Sequence, residues 1–325
     1  MADKPMKRQL EAVLLTTPGQ QALCLRFDHA ATDGGGAKRC LALLSRCYQR
    51  IINGQAETEP CSSDRSDGQV YARCGLSDYR LALKREAPAA DSVITVPYTH
   101  MDGRTVRYSF VTMPLSAVKR PGCTINDCLL AAYAMALAKA YPNPRALSIH
   151  MTIDLRRYLE EETAPLACTL SGMAAINPAF EPDTPYSSVL TEVQKQTALL
   201  KSGQPGLSSA ALLTYLRTMP YGKVKGALAE ADRKSRLSGT AAPILSNLGQ
   251  IVSDVLRFGN ATVVNILPLL PAMHAPAFML GACGYADTLT LSAGFYAEER
   301  QAEDMQRLLY DIRDLLMQNR TAASA

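Results

Sequence analysis

The sequence predicts a mixed α+β fold, and three observations carry that prediction. Short stretches of alternating apolar and polar residues, the signature of strands, are interspersed with longer stretches of 3.6-residue spacing, the signature of helices. The two kinds of segment do not follow the steady strand–helix rhythm of a doubly wound sheet. At 325 residues the chain is longer than one domain of about 150 residues, so two units are expected, divided between Glu160 and Pro182.

The segments justify themselves in order. Arg8–Thr17 and Gln20–Asp28 read as strands joined at Pro18-Gly19. In the second, Leu23, Leu25 and Phe27 share one face, and Cys24, Arg26 and Asp28 the other. Asp33-Gly34-Gly35-Gly36 reads as a turn. The helix after it carries Ala37, Cys40, Leu41, Leu44, Tyr48 and Ile51 on one side until Asn53-Gly54 stops it. Residues 54 to about 90 are rich in Ser, Asp, Glu, Gly and Pro and read mainly as exposed loop. Strands are expected at Ser92–Pro97 and Thr105–Met113. Thr124 and Asp127 mark a capped helix start, with the helix running to Tyr141 before Pro142. A strand at Ala146–Asp154 and an apolar segment at Leu166–Asn177 follow. Helical patterns fill 184–236, broken at Pro205-Gly206 and Pro220. Strands are expected at Pro243–Leu248, Ala261–Leu267, Ala277–Gly284 and Thr288–Gly294, then a helix at Ala302–Met317 and a frayed tail, Thr321–Ala325.

Composition excludes several classes. With 47% hydrophobic and 20% charged residues, neither a disordered chain nor a collagen-like repeat fits. A formal charge of +4, no Trp and 6 Phe leave neither a basic stripe nor a base-stacking surface, so nucleic acid is not expected as a partner. No apolar run approaches the roughly 20 residues of a membrane span, and no cleavable leader is read at the N-terminus. Nine cysteines without a CxxC pair point to a reducing cytoplasm and away from a zinc knuckle.

Chemistry is carried by few residues. Of the four histidines, His100 falls in a turn, His150 inside an apolar strand as a satisfied core residue, and His274 in a Pro-rich connection. No pair has the i, i+4 spacing of a zinc site, and no metal is expected. His29 differs: it ends an alternating strand and precedes a glycine-rich turn, where a side chain projects into a cleft. By parity it shares the face of Leu23, Leu25 and Phe27. A ring against that apolar wall would stay neutral, the form a general base needs. The other reading is a strand-end histidine bonded to a carbonyl.

Asp28-His29-Ala30-Ala31-Thr32-Asp33-Gly34 resembles the His-His-x-x-x-Asp-Gly motif of the chloramphenicol acetyltransferase-like superfamily, which includes condensation domains and alcohol acetyltransferases. Three further segments fall in the expected order: Thr124–Ala132, Thr152–Leu159 with its Asp-Leu-Arg, and Leu245-Ser246-Asn247-Leu248-Gly249. The resemblance implies two lobes, 1–165 and 166–325. It also implies transfer of an acyl group from a thioester donor, acyl-CoA or an acyl-phosphopantetheine carrier protein, to a hydroxyl or amine of a small-molecule acceptor. No tightly bound cofactor is implied. His29 matches the general base, and Gly34 the residue whose backbone N–H approaches the developing oxyanion. Asp33 matches the structural carboxylate, and Arg156, with Arg157 as second choice, its bidentate partner. Ser246 and Asn247 match weaker polar contacts, with strand-end capping as the equal alternative. Asp28 stands where the family has its first His, and pairing with Arg26 is expected for it. The motif begins at residue 28, so the N-terminal lobe is expected to be incomplete, with a sheet edge that a second copy or a partner chain would complete. The rival reading is a catalytically silent protein that binds an acyl carrier or partner chain. A third is a thioester hydrolase that admits water.

Overall fold

The computed structural model describes residues 6–55, 65–84, 105–140, 147–160, 168–296 and 299–318. His100, the strand expected at Ser92–Pro97 and the tail Thr321–Ala325 lie outside these residues. In chain order the elements are β1 (Leu10–Thr17), β2 (Gln20–Phe27), α1 (Gly34–Ile52), α2 (Gly68–Arg73), α3 (Tyr79–Leu83), β3 (Val106–Pro114), α4 (Leu115–Val118), α5 (Ile125–Ala140) and β4 (Ile149–Asp154). A 3-10 turn (Leu155–Tyr158), β5 (Ser171–Ile176), α6 (Tyr186–Ser202), α7 (Leu207–Arg217), α8 (Tyr221–Ser238) and β6 (Ile244–Ile251) follow. A second 3-10 turn (Ser253–Val255) then leads to β7 (Arg257–Phe258), β8 (Ala261–Thr262), β9 (Met279–Tyr285), β10 (Thr288–Tyr296) and α9 (Glu299–Met317).

These elements pack as two compact units, each built from three stretches of chain. One comprises Met1–Asp78, Asp154–Ser171 and Val252–Val263; the other comprises Tyr79–Ile153, Gly172–Ile251 and Val264–Ala325. The units are interleaved along the chain, whereas the sequence suggested one division at residue 165. The reason is sheet topology: strands that neighbour in space come from far apart in sequence.

The second unit is organised by a six-stranded mixed sheet of order β3-β10-β9-β6-β4-β5. β10 runs antiparallel to both β3 and β9, while β6 runs parallel to β9 and β4. β9 and β10 are buried along almost their whole length, the small polar Thr290 and Ser292 included. α5 sits in the same core, with Leu129, Leu130, Tyr133 and Leu137 fully buried among Phe278, Leu280, Leu309 and Ile312. Its start is the expected capping box: Asp127 N–H donates to Thr124 Oγ1 (3.2 Å), and Thr124 N–H to Asp127 Oδ2 (3.0 Å). The Asp127 carboxylate is buried and also accepts from Thr197 Oγ1 at 2.7 Å. Burial pushes it toward protonation, but the hydrogen bonds from Thr124 and Thr197 outweigh that and hold it below the ordinary aspartate range.

In the first unit, β1 and β2 form a two-stranded antiparallel sheet in which Leu10, Ala12 and Leu14 face Phe27, Leu25 and Leu23. Leu14 and Leu23 are nonetheless exposed, at 58% and 41%, so the alternation set the register without delivering a buried face. α1 packs on β7, in the first unit's third stretch: Ser45 Oγ donates to Arg257 O at 2.8 Å, and Tyr48 meets Phe258 edge-on.

Three local readings are corrected. The Gly34-Gly35-Gly36 run is the first turn of α1 and not a turn before it, because Asp33 Oδ1 accepts from Gly36 N–H (2.8 Å) and caps the helix. Within the polar stretch 54–90, α2 and α3 are helical, with Val70, Tyr71 and Ala82 buried. Helices of 6 and 5 residues are too short to display a period. The strand expected over Ala261–Leu267 is reduced to β8, Ala261–Thr262.

Candidate active site

The residues around His29 come from three stretches of the first unit. β2 ends at Phe27, and Asp28 N–H extends the pairing to Gln9 O (2.9 Å). Asp28 Oδ1 then accepts from Ala30 N–H at 2.9 Å, while Ala31 and Thr32 N–H both donate to Asp28 O. This Asx turn reverses the chain. Two expectations fail on it. Asp28 is consumed by the turn, and Arg26 faces Glu11 across the ladder at 3.6 Å. His29 lies beyond the strand, so strand parity no longer governs it. The residue is exposed and not buried as a ring packed into an apolar wall would be. Among the described residues its imidazole has no hydrogen-bond partner, while its carbonyl accepts from Thr169 Oγ1 at 3.1 Å.

Four residues on, the buried Asp33 ties the turn down. Its Oδ1 receives Gly36 N–H and, at 2.8 Å, Arg156 Nη1; its Oδ2 receives Leu170 N–H at 2.7 Å. The Asp33 and Arg156 side chains are 5% and 2% exposed. The guanidinium is not a two-pronged fork onto Asp33 alone. Nη1 is shared with Asp154 Oδ1 (3.0 Å), and Nη2 donates to Cys168 O (2.7 Å). Burial works against the charge on Arg156, but Asp33 and Asp154 beside it outweigh burial and raise its pKa. Burial also pushes the Cys168 thiol up against the pull of Arg156, so it stays protonated. Arg156 is delivered by the turn after β4, where Asp154 Oδ1 also accepts Arg156 N–H at 3.0 Å.

Gly34 opens α1, so its N–H is one of the first-turn donors that a helix leaves without an internal acceptor. Gly35, its neighbour, is fixed by sterics. A Cβ there would collide with Asp154 Oδ2 and come within 2.9 Å of Arg156 Nη1. Sequence reasoning passed over Gly35, Asp154 and Thr169. The middle glycine of the run and the Asp before Leu-Arg were the available signals; Thr169 offered none.

Ser246 and Asn247 lie on β6 in the second unit. The Asn247 amide is engaged at both ends: Nδ2 donates to Asn126 Oδ1 (3.3 Å), and Oδ1 accepts from Gly249 N–H (2.9 Å) beside a bulge in the β6–β9 ladder. These bonds tie Asn247 to the bulge within β6. His150, expected as a satisfied core histidine, has its Nε2 buried with no hydrogen-bond partner among the described residues, and desolvation lowers its pKa. No group of three or more His, Cys, Asp or Glu side chains is placed to hold a metal among the described residues. Nor is any helix there long and apolar enough to cross a membrane.

No protein-family model matches the chain, and no curated protein does. Solved structures do. The first condensation domain of the CDA synthetase is similar over 95% of this chain and 67% of its own, with a TM-score of 0.63 at 14% identity. Polyketide synthase associated protein 5 from Mycobacterium tuberculosis is similar over 97% and 79%, with a TM-score of 0.61 at 16% identity. The starter condensation domain of rhizomide synthetase, determined with C8-CoA and Leu-SNAC, is similar over 95% and 68%, with a TM-score of 0.56 at 15% identity. The chain therefore shares the fold of these condensation domains.

Proposed function

From a condensation-domain fold that presents His29 on a turn anchored by a buried Asp33–Arg156 pair, we propose that this chain transfers an acyl group from a thioester to a hydroxyl or amine. His29 removes the proton from the acceptor as its oxygen or nitrogen attacks the thioester carbonyl. The carbon–sulfur bond then breaks, and the thiolate takes the proton back from the imidazolium. No covalent acyl-enzyme forms, so no nucleophilic side chain is required. The Gly34 N–H faces the charge that develops on the carbonyl oxygen. The donor in this reading is acyl-CoA or an acylated phosphopantetheine on a carrier protein, and the acceptor is a small molecule. The single observation that carries the proposal is the anchoring of the turn. Asp33 is fully engaged by Arg156, Gly36 and Leu170, which leaves His29 as the exposed titratable group of the motif.

The test is thiol release from a panel of acyl-CoA and acyl-pantetheine donors, with alcohols and amines as acceptors. Acceptor-dependent release is expected from the wild type and loss of at least about a hundredfold in His29→Ala, the typical weight of a general base. Release that survives the substitution places the chemistry elsewhere.

A second reading is favoured by two observations, the Asp in the first position of the motif and the lack, among the described residues, of a partner to orient the imidazole. It is a catalytically silent protein that binds an acyl carrier or partner chain. Saturable binding of an acyl carrier protein without thiol release under any acceptor would establish it.

A further inference from the structure

We infer that Thr169 is a positioning residue for His29, supported from beneath by Asp154 through Arg156. The His29 ring has no hydrogen-bond partner among the described residues, so its placement is set through its backbone. Thr169 is the residue whose side chain bonds that backbone directly, Oγ1 to His29 O at 3.1 Å. The bond lies at the exposed end of the turn, where water could replace it at little cost in stability. The bond therefore acts through where it holds the chain and not by satisfying a buried group.

The segment carrying Thr169 is itself fixed on both sides. Before it, Cys168 O accepts from Arg156 Nη2 (2.7 Å). After it, Leu170 N–H donates to Asp33 Oδ2 (2.7 Å), and Leu170 O accepts Leu155 N–H (2.9 Å). Asp154 sets Arg156 by accepting both its N–H and its Nη1. The absence of a Cβ at Gly35 lets the Asp154 carboxylate and the guanidinium lie against the first turn of α1. His29 is thus held by a chain of contacts from Asp154 to Arg156 to Cys168-Thr169. Its kinetic consequence rests on the acyl-transfer reading; its structural part does not.

The experiment follows the His29 ring by NMR in protein labelled at histidine, the signal assigned by its loss in His29→Ala. Thr169→Val should shift or broaden that signal and lower kcat roughly tenfold to a hundredfold with KM little changed, as small misplacements of a reacting group do. The thermal midpoint should barely move. Thr169→Ser, which keeps the hydroxyl, should restore both signal and rate. Asp154→Asn should displace the same signal by a smaller amount. An unchanged His29 signal in Thr169→Val, or a Thr169→Ser variant that behaves like valine, overturns the inference. If the wild type transfers no acyl group while Thr169→Val still moves the His29 signal, the functional reading fails and the positioning role stands.

Discussion

At the scale of single residues, the contrast between His29 and Asp33 separates chemistry from anchorage. Both belong to the same seven-residue motif, yet one is exposed and the other is 5% exposed in its side chain. Asp33→Ala leaves the buried Arg156 with Asp154 as its remaining carboxylate and takes the acceptor from the Gly36 and Leu170 N–H groups, so it should cost about 3 kcal/mol. His29→Ala should fall within about 0.5 kcal/mol of wild type, as an exposed substitution does. Urea denaturation of the two variants distinguishes them, and equal losses would contradict the division of roles. A second residue-scale expectation concerns acid. His150 has a folded pKa below its ordinary value of 6.5, so below that pH the unfolded chain binds a proton that the folded chain refuses. Stability should therefore fall as the pH drops below about 6.5 and level off beneath the folded pKa. His274, lowered chiefly by desolvation and then by Arg236, acts in the same direction. Thermal midpoints from pH 7.5 to 5 should decline less steeply in His150→Leu than in the wild type.

At the scale of elements, local rules succeeded where an element's ends carry their own chemistry. The start of α5 was legible because Thr124 and Asp127 satisfy each other's backbone N–H groups, an interaction within four residues. Its strength was not legible, since Thr197 comes from α6. Asp127→Ala removes a helix cap and the 2.7 Å bond from Thr197, whose hydroxyl keeps only Gln194 O, a combined loss of about 2 kcal/mol. Thr197→Val should lose less, and a double-mutant cycle should show the two to be coupled. α2 and α3 were hidden for the opposite reason. With 6 and 5 residues, their helical state depends on burying Val70, Tyr71 and Ala82 and not on propensity. The glycines at the head of α1 read as a turn because glycine disfavours helix; the Asp33 cap and the close approach of Asp154 reverse that preference.

At the scale of the whole molecule, burial is unevenly shared. The core of the second unit gathers α5, α9 and the strands β9 and β10, with Leu129, Leu280, Phe295 and Ile312 fully enclosed. The β1–β2 hairpin stands as a two-stranded sheet among the described residues, with Leu10, Leu14, Leu15 and Leu23 exposed by 41–58%. A lone hairpin is marginal in water. Native-state hydrogen exchange should therefore find the amides of β9, β10 and α5 protected to near the global unfolding free energy, and those of β1 and β2 far less. Strong protection across the hairpin would show that it is covered.

What the sequence determined by itself is what depends on neighbours a few residues apart. That includes the α+β class, the positions of β1, β2, α1, α5 and α6 to α9, the α5 capping box and the motif that marks His29, Asp33 and Gly34. Tertiary structure decided the rest. It made Arg156 a guanidinium shared by two carboxylates and a carbonyl, spent Asp28 on a turn, brought the His29 ring out of the strand's alternation and placed Thr169 against the His29 carbonyl. It also divided the chain into interleaved units. The physical reason is range: capping and periodicity act within a turn or two of helix or strand. The Arg156 contacts bridge 123 positions to Asp33 and the Thr169 bond 140 to His29, distances along the chain that only the packed fold can close.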